Sequence, residues 1–479
     1  MNRKNNKYNK EIKKVMAVFM ILLLLLITYI VYFGVFQTYK ISKMSSNTAN
    51  IARENRIIRG NIYDSEGNTL SYSQYKNVLN QEIKYPYGNV FANVVGYYSP
   101  IYGSIGLESY YNKELTTYEY SDGFNVIKLF NERNNVKKGD NVYTTLNAKI
   151  QEIAYNELSK YKAGALVAIN PKTGAILASV SYPSFNPNDL AESMKNYNRN
   201  DESIFFDRAT QGLYAPGSTF KVITLASGLE NISGLGDRTF NDPGYIKLGD
   251  YILPDENYIN YGEISLNKAL SVSSNVVFGG IIAIELGNSK LKATAEYFGF
   301  NENIPTIGFN LAQSIFPTFP DDEIGNIAQT GIGQSEDLAT PTEMALVAAT
   351  IANNGVMMRP YLVSKIENSA GGVIDETTII PYKTVVSKEI ANRITQAMEY
   401  VTQQRVDNIW PYFKELGDVA SKTGTAETSN GTTNSWWIGF TEDIAVSVIV
   451  VEGGSDDTVS AHIAAAVIKV YENELSNNR

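Results

Sequence analysis

Residues 15–36 form an unbroken apolar run near the N-terminus that contains no charged side chain. As an α-helix this run would be about 33 Å long, which is enough to cross the hydrocarbon core of a bilayer. A cleavable signal has a shorter apolar stretch followed by small residues, and a buried helix of a soluble domain is rarely this long without a polar face. The sequence therefore predicts an uncleaved transmembrane anchor over residues 15–36.

Charge is distributed unevenly on the two sides of this run. Residues 1–14 contain six basic side chains and one acidic side chain, although the whole chain has a formal net charge of −9. Basic flanks favour the cytoplasmic side of a membrane, so we expect a cytoplasmic N-terminus and an external C-terminal body. That body is strongly acidic, which argues against a nucleic-acid partner because such a partner requires a basic face.

Cysteine is absent from the chain, and histidine occurs once, as His462. These counts exclude disulfides, thiolate metal sites, a cysteine nucleophile and any metal centre that needs several histidines. A Ser-His-Asp triad would have to use His462. We therefore expect neither a metal nor a cofactor in the chemistry of this protein.

The sequence suggests four segments, and the polar stretch at residues 131–140 separates the last two. We expect a cytoplasmic tail, an anchor helix, a small N-terminal pedestal domain and a large C-terminal domain, at residues 1–14, 15–36, 37–140 and 141–479.

The C-terminal domain shows both helical and strand patterns. Residues 145–160 have helical periodicity, and residues 163–180 read as a hairpin because two apolar runs surround a turn. Residues 218–350 have mostly helical patterns. The same reasoning predicts two late strands and a closing helix, at residues 435–440, 444–451 and 461–474. Early and late strands with helices between them predict an α+β fold whose sheet is assembled from both ends of the domain.

The first candidate for chemistry is Ser218, which is followed three residues later by Lys221 at the start of a helix-compatible segment. Ser218 would lie at the positive end of that helix, with Lys221 on the same face. A serine hydroxyl needs a base, and a desolvated lysine that is partly neutral can take its proton. The pattern alone is weak, because Ser218 could merely cap the helix while Lys221 is solvated. Ser-x-x-Lys also begins at Ser73, Ser159, Ser265 and Ser289.

A second cluster, Ser273 and Asn275, lies between two helical patterns and therefore on a predicted loop. The hydroxyl of Ser273 could relay a proton, and the amide of Asn275 could bind a substrate amide. Ordinary loop or cap chemistry accounts for the same residue types, so this cluster is also weak when taken by itself.

The third cluster consists of Lys422, Thr423, Gly424 and Thr425. Its cation and hydroxyls suit a carboxylate, and the glycine lets the backbone approach a ligand closely. The alternative is a strand end with a surface lysine. Lys-Thr-Gly also occurs at residues 172–174, where it forms the predicted hairpin turn and where we interpret it as structural.

The three clusters in this order are far more specific than any one of them. Together with their flanking sequence they resemble the class B penicillin-binding proteins, which are monofunctional peptidoglycan D,D-transpeptidases, and in particular the compact members with a short pedestal. The resemblance extends over most of the chain and includes Arg59-Gly60, Ile62, Asp64, Gly67, Gly106-Leu107-Glu108, Asn170-Pro171, Thr173-Gly174, Gly333-Gln334 and Thr340-Pro341.

The resemblance implies a fold and a set of roles. The fold would be a transpeptidase domain of the penicillin-binding protein and serine β-lactamase type, with a mainly antiparallel sheet flanked by helices and a helical subdomain. Ser218 would be the nucleophile, Lys221 its general base, and Ser273 a proton relay to the leaving amine. The backbone N–H groups of Ser218 and Thr425 would bind the oxyanion. The substrate-binding residues would be Asn275, Lys422, Thr423, Gly424 and Thr425.

The resemblance also implies partners and a location. The ligands would be peptidoglycan stem peptides, as D-Ala-D-Ala donor and amine acceptor, and β-lactams. A membrane glycan polymerase would be the protein partner, and the location would be a bacterial cell membrane crossed once. Two alternatives stay open: a D,D-carboxypeptidase or β-lactamase of the same superfamily, and a non-catalytic β-lactam sensor or scaffold for a polymerase.

Overall fold

The computed structural model describes residues 2–32, 57–77, 80–117, 137–200, 203–428, 430–456 and 458–478. The end of the predicted anchor, at residues 33–36, lies outside the described residues, as does most of the polar stretch that we take as a domain boundary. The boundaries of the four predicted segments stay predictions.

The helices of the described residues are numbered here in chain order. They are α1 (Asn2–Tyr32), α2 (Ala92–Val95), α3 (Gly106–Tyr110), α4 (Asn112–Thr116), α5 (Ala148–Leu158), α6 (Leu190–Asn200), α7 (Arg208–Gln211), α8 (Lys221–Asn231), α9 (Leu266–Ser271), α10 (Ile284–Tyr297), α11 (Ile324–Thr330), α12 (Pro341–Ala352), α13 (Lys388–Gln403) and α14 (Thr458–Asn478). A π-helix (Val276–Ala283) leads directly into α10. A 3₁₀ turn (Gly217–Phe220) leads directly into α8.

The strands are numbered in the same way. They are β1 (Ile57–Ile58), β2 (Ile62–Tyr63), β3 (Thr69–Asn77), β4 (Asn80–Lys84), β5 (Tyr97–Ser99), β6 (Gly103–Ile105), β7 (Lys137–Lys138), β8 (Asn141–Thr144), β9 (Ala163–Ile169), β10 (Ile176–Tyr182), β11 (Thr239–Asp242), β12 (Tyr245–Leu248), β13 (Tyr251–Pro254), β14 (Gly262–Ser265), β15 (Val356–Met358), β16 (Val363–Glu367), β17 (Val373–Glu376), β18 (Pro381–Thr384), β19 (Ala420–Glu427), β20 (Thr433–Phe440) and β21 (Ala445–Val451).

A five-stranded sheet, with strand order β10-β9-β21-β20-β19, forms the centre of the C-terminal half. Each neighbouring pair in it is antiparallel. The predicted hairpin at residues 163–180 is confirmed as β9 and β10, and the two late strands are confirmed as β20 and β21. Because β9 pairs with β21, the sheet joins the early and late strands of the domain, as the sequence predicted.

Helices cover this sheet on both sides. All seven residues of β9 are buried, which in a sheet requires cover on both faces. The long helix α12 packs against β9, β20 and β21. The predicted helices near residues 145–160 and 461–474 are confirmed as α5 and α14, which pack against each other and against the sheet.

The segment predicted to be mostly helical contains helices α8 to α12, but it also contains two short antiparallel pairs of strands. Strand β11 pairs with β14, and β12 pairs with β13, each over four residues. These strands lie between α8 and α9. Helix α13 contacts α8, α9 and the edge strand β19, so it connects this helical region to the central sheet.

A second sheet, with order β17-β16-β8-β2-β3-β4, combines strands from both sides of residue 140. Beside it, the guanidinium of Arg59 donates to a carboxylate oxygen of Glu108 at 2.6 Å and to the Glu108 carbonyl at 2.6 Å. Ser71 donates to the other Glu108 carboxylate oxygen at 2.8 Å. Arg59 and Glu108 are both almost fully buried, and breaking one partner of such a pair is strongly destabilising.

Helix α1 carries the apolar run of the sequence up to Tyr32. Its apolar side chains from Val15 onward are exposed where the structure describes them, for example Phe19 and Leu24. Within the described part of the chain, no helix has both the length and the apolarity needed to span a membrane.

Candidate active site

Ser218 lies in the tight 3₁₀ turn that begins at Gly217 and precedes α8. Gly217 has a φ of +55°, and a Cβ there would lie 2.6 Å from the carbonyl oxygen of Thr425. Only glycine fits both the backbone conformation and this close approach. The turn is further held by Gly217 N–H, which donates to the carbonyl of Gly333 at 2.8 Å. Ser218 itself is half-buried.

Strand β19 passes directly beside this turn. A Cβ on Gly424 would lie 2.9 Å from the Pro216 carbonyl and 3.0 Å from the backbone nitrogen of Thr219. The indole N–H of Trp436, on the neighbouring strand, donates to the carbonyl of Ala215 at 2.9 Å. Backbone therefore lies against backbone where the turn that carries Ser218 meets Gly424 and Thr425 of β19.

Lys221 is the first residue of α8 and is completely buried. Its Nζ donates to the carbonyl of Ser273 at 2.5 Å and to Oδ1 of Asn275 at 2.8 Å, and it lies 3.1 Å from Oγ of Ser273. Burial lowers the pKa of the Lys221 ammonium to about 7, although nearby carboxylates act in the opposite direction. At neutral pH a large fraction of Lys221 is therefore an amine that can accept a proton.

Ser273 lies between two lysines. Its Oγ is 3.1 Å from Nζ of Lys221 and 3.0 Å from Nζ of Lys422. Ser273 has a φ of +59°, which a serine adopts only when its surroundings enforce it. When Lys221 is neutral, the Lys422 ammonium can donate to the Ser273 hydroxyl while that hydroxyl donates to the Lys221 amine. This arrangement provides a path for a proton across the site.

Strand β19 supplies the third cluster. Lys422 is buried, and its Nζ also donates to the carbonyl of Thr423 at 2.7 Å. Thr423 is mostly buried, and Thr425 is half-buried. Gln334 donates to the Thr425 carbonyl at 3.3 Å, which fixes this end of the strand. A buried ammonium beside a half-exposed hydroxyl is suited to bind a carboxylate.

The structure thus brings together the residues predicted for the site. Ser273 and Asn275 contact Lys221, Ser273 contacts Lys422, and the Ser218 turn lies against β19. Their assignment to individual catalytic steps stays a prediction. Helix α13 supports the assembly, since Thr402 and Ser421 share a hydrogen bond at 2.7 Å.

Two other sequence features lie in different surroundings. Lys172 of the second Lys-Thr-Gly is half exposed in the turn between β9 and β10, where its Nζ contacts Glu442 and Asp443 at 2.8 Å each. His462 is exposed on α14, where its ring packs edge-on against Tyr412.

Sequence reasoning missed the acidic residues behind the site. Asp255, just after β13, accepts the backbone N–H groups of Asn275 and Val276. Asp242, at the end of β11, is fully buried. Neither residue belongs to a recognisable motif. The only signal was an acidic residue at the end of a short apolar strand, twenty positions before Asn275.

The fold and this cluster of serines and lysines define a serine acyltransferase, and comparison with known families agrees. The family model described as "Penicillin binding protein transpeptidase domain" matches residues 164–469. The model described as "Penicillin binding protein A dimerisation domain" matches residues 59–142. The chain therefore belongs to the penicillin-binding proteins, among the class B D,D-transpeptidases that form an acyl ester on serine.

Individual relatives agree with this assignment. The peptidoglycan D,D-transpeptidase PbpA of Mycolicibacterium smegmatis is 33% identical over 416 residues, which cover 80% of this chain and 82% of the relative. The transpeptidase domain of a peptidoglycan glycosyltransferase from Eggerthella lenta superposes with a TM-score of 0.78 at 33% identity, covering 88% of this chain and 99% of that one. The ceftriaxone acyl-enzyme of penicillin-binding protein A from M. tuberculosis has a TM-score of 0.79 at 29% identity, with coverage of 87% and 99%.

Proposed function

We propose that this chain cross-links peptidoglycan stem peptides through an acyl ester on Ser218, with Lys221 as the general base. The observation that carries the proposal is the buried Lys221 amine, held between Ser273 and Asn275 one helical turn from Ser218. Burial keeps this amine partly neutral, as a base for a serine hydroxyl must be.

In the acylation step, Ser218 Oγ attacks the carbonyl of the penultimate D-Ala of a donor stem peptide, and Lys221 takes the hydroxyl proton. The oxygen of the resulting tetrahedral intermediate is bound by the backbone N–H groups of Ser218 and Thr425. Loss of one such donor typically costs about 3–4 kcal/mol of transition-state stabilisation. The C–N bond then breaks, and the proton passes by way of Ser273 to the leaving D-Ala amine.

In the second step, an amine of a neighbouring stem peptide attacks the acyl ester. A new amide bond forms, the ester C–O bond breaks, and the proton lost by the amine returns to Ser218 through Lys221. Binding of the donor would use Asn275 for the peptide backbone, while Lys422, Thr423 and Thr425 hold the terminal carboxylate and Gly424 permits close approach. β-Lactams, which carry a carboxylate beside a strained amide, would acylate Ser218 in the same way.

The location belongs to this proposal as well. The helix α1 presents apolar side chains outward, and a basic segment precedes its apolar run. These features support an anchor over residues 15–36 in a bacterial cell membrane, with the C-terminal domain outside. A membrane glycan polymerase that supplies new strands would be the partner of such an anchored transpeptidase.

The test is a donor assay on the full-length chain. Purified protein receives a stem pentapeptide ending in D-Ala-D-Ala, with and without an amine acceptor, and both D-Ala release and the amide product are followed by mass spectrometry. We expect the cross-linked product to dominate when the acceptor is present. Hydrolysed tetrapeptide alone would indicate a carboxypeptidase. In a parallel reaction with penicillin in place of the pentapeptide, consumption of the drug without a stable adduct would indicate a β-lactamase. Failure of folded protein to react with either compound would favour a scaffold.

The pH dependence of acylation follows from the environment of Lys221. Below a pKa of about 7 the side chain is protonated and cannot accept the Ser218 proton, and above it the amine is free. We therefore expect the second-order rate constant for acylation by a fluorescent penicillin to rise with pH through a midpoint near 7 and then level off. Stopped-flow measurements across the neutral range test this, with circular dichroism at each pH as the control for folding. A rate that is flat or falls through neutrality contradicts the role of Lys221.

A further inference from the structure

The loop that carries Ser273 and Asn275 is held from behind by a single carboxyl group. Oδ1 of Asp255 accepts the backbone N–H groups of both Asn275 and Val276, the latter at 3.0 Å. Asp255 is 4% exposed, so these bonds are made away from water. They satisfy donors at the start of the π-helix, where a negative charge is favoured by the helix dipole.

The residue before Asp255 orients the Asn275 side chain. Nδ2 of Asn275 donates to the carbonyl of Pro254 at 2.8 Å, which leaves Oδ1 directed at Nζ of Lys221, 2.8 Å away. The end of β13 therefore fixes Asn275 by its backbone and by its side chain. Through Asn275 it also fixes the Lys221 amine, although neither Pro254 nor Asp255 is hydrogen-bonded to that amine.

A second buried carboxyl lies beside the first. Asp242 is fully buried and its Oδ1 accepts the N–H of Gly244 at 2.9 Å. Oδ2 of Asp242 and Oδ2 of Asp255 have no hydrogen-bond partner among the described residues. Burial and the neighbouring Asp242 carboxyl raise the pKa of Asp255 to about 6. At neutral pH Asp255 therefore remains largely ionised, so this acidic pair, Asp242 and Asp255, carries negative charge.

We propose that Asp255 is a positioning residue for acylation, and that the acidic pair supplies the negative charge that balances the proton on buried Lys221. The geometric part of this proposal is the set of hydrogen bonds that fix Asn275. The electrostatic part is the attraction between the acidic pair and the Lys221 ammonium. The inference rests on the proposed role of Lys221 as general base.

Several other charged or titratable groups face this region and contribute to the electrostatic environment of Lys221 and the acidic pair. Glu256 follows Asp255 and is exposed, and it also acts on Lys221. Lys422 on β19 meets Lys221 across Ser273. Tyr261 interacts electrostatically with both carboxyls of the acidic pair and with Arg405. The acidic pair is distinguished from Glu256 by burial, because solvent screens an exposed carboxylate far more than a buried one.

Two variants separate position from charge. Asp255→Ala removes both hydrogen bonds to the loop together with the charge of Asp255. We expect the plateau rate of acylation of the full-length chain by fluorescent penicillin, measured above the pH midpoint, to fall by about 10- to 100-fold. The double variant Asp242→Asn with Asp255→Asn keeps acceptor oxygens of the same shape but removes the charge. We expect its pH midpoint of acylation to move by about one unit to lower pH, because Lys221 loses the charge that favours its protonated form.

The matched control is Asp64→Asn. Asp64 is another buried carboxylate whose Oδ1 accepts two backbone N–H groups, those of Glu66 and Asn68, at 2.9 and 2.7 Å. Any general loss of stability appears in this variant without a change of the pH midpoint. If the midpoint of the double variant equals that of the wild type, the electrostatic part is overturned. If Asp255→Ala acylates as fast as the wild type, the positioning part is overturned.

Failure of the proposed function looks different. In that case wild-type protein itself shows no adduct, or its rate shows no dependence on Lys221, and the inference that rests on this role is overturned together with the proposed function. Should Asp255→Ala fail to fold, Asp255→Asn decides the positional question, since its amide oxygen can replace the carboxylate oxygen. If folded Asp255→Asn keeps most of the plateau acylation rate, the result supports positioning by the hydrogen bonds. A loss of about 10- to 100-fold in folded Asp255→Asn overturns it.

Discussion

Replacement of Ser218 by alanine abolishes acylation by penicillin and transfer of stem peptides, with an expected loss of about 10⁴-fold or more. In the proposed mechanism the hydroxyl oxygen of Ser218 becomes the ester oxygen, and the half-buried turn around it offers no second nucleophile in the same position. The measurement is the rate of adduct formation with a fluorescent penicillin, followed by mass spectrometry of the labelled peptide. In the wild type the adduct is expected on the peptide that contains Ser218.

The chain contains its own control for this experiment. Ser159 also begins a Ser-x-x-Lys sequence, but it is exposed just after α5, where its hydroxyl donates to the carbonyl of Asn156 at 2.8 Å. Ser159→Ala should acylate at the wild-type rate. An adduct that persists in Ser218→Ala, or one that maps to another serine, would show that the nucleophile has been assigned to the wrong residue.

The second large effect is expected for Lys221→Met, which keeps the volume of the buried side chain and removes the amine. General base catalysis by a positioned group contributes about 10²- to 10⁴-fold, so acylation should slow by that factor. Methionine occupies about the same buried volume as the lysine side chain, which limits the loss of stability. Stopped-flow kinetics that separate the binding constant from the acylation rate should place the loss in the rate.

Lys162 provides the corresponding control, because it completes the sequence that begins at Ser159 and is exposed, in an ion pair with Glu452 at 2.7 Å. Lys162→Met should leave the kinetics unchanged. Lys221→Arg is a sharper test of the base, since arginine retains a positive charge but stays protonated at all accessible pH values. A Lys221→Arg variant that acylates well would contradict proton transfer to this residue.

The parts of the fold that depend on local patterns could be predicted from the sequence. The hairpin of β9 and β10 follows from two apolar runs around a turn, and β20 and β21 follow from continuous apolar stretches near the end. Strands β11 to β14 were missed. They are four residues each and lie in a segment with helical patterns, so their pairing is decided by tertiary contacts that outweigh local propensity.

The meeting of the three motifs at one site was predictable because the residues are concentrated in three short segments with distinct chemistry. The acidic pair was not, since Asp242 and Asp255 act through hydrogen bonds and charge between residues that are far apart in the chain. The positive φ of Ser273 likewise belongs to a loop whose backbone N–H groups bond to α9 and to Asp255, which the sequence does not reveal. Only the folded chain shows that the end of β13 lies against the loop that carries Asn275.

The order of strands in the central sheet also determines when the sheet can form during synthesis of the chain. Strand β9 cannot complete its pairing until β21 has been synthesised, nearly three hundred residues later in the chain. Contacts of such long sequence separation slow folding. During that delay β9 offers an apolar, unpaired edge of seven residues that the native structure buries. A product that ends before residue 445 would keep this edge permanently and would be prone to aggregate through it.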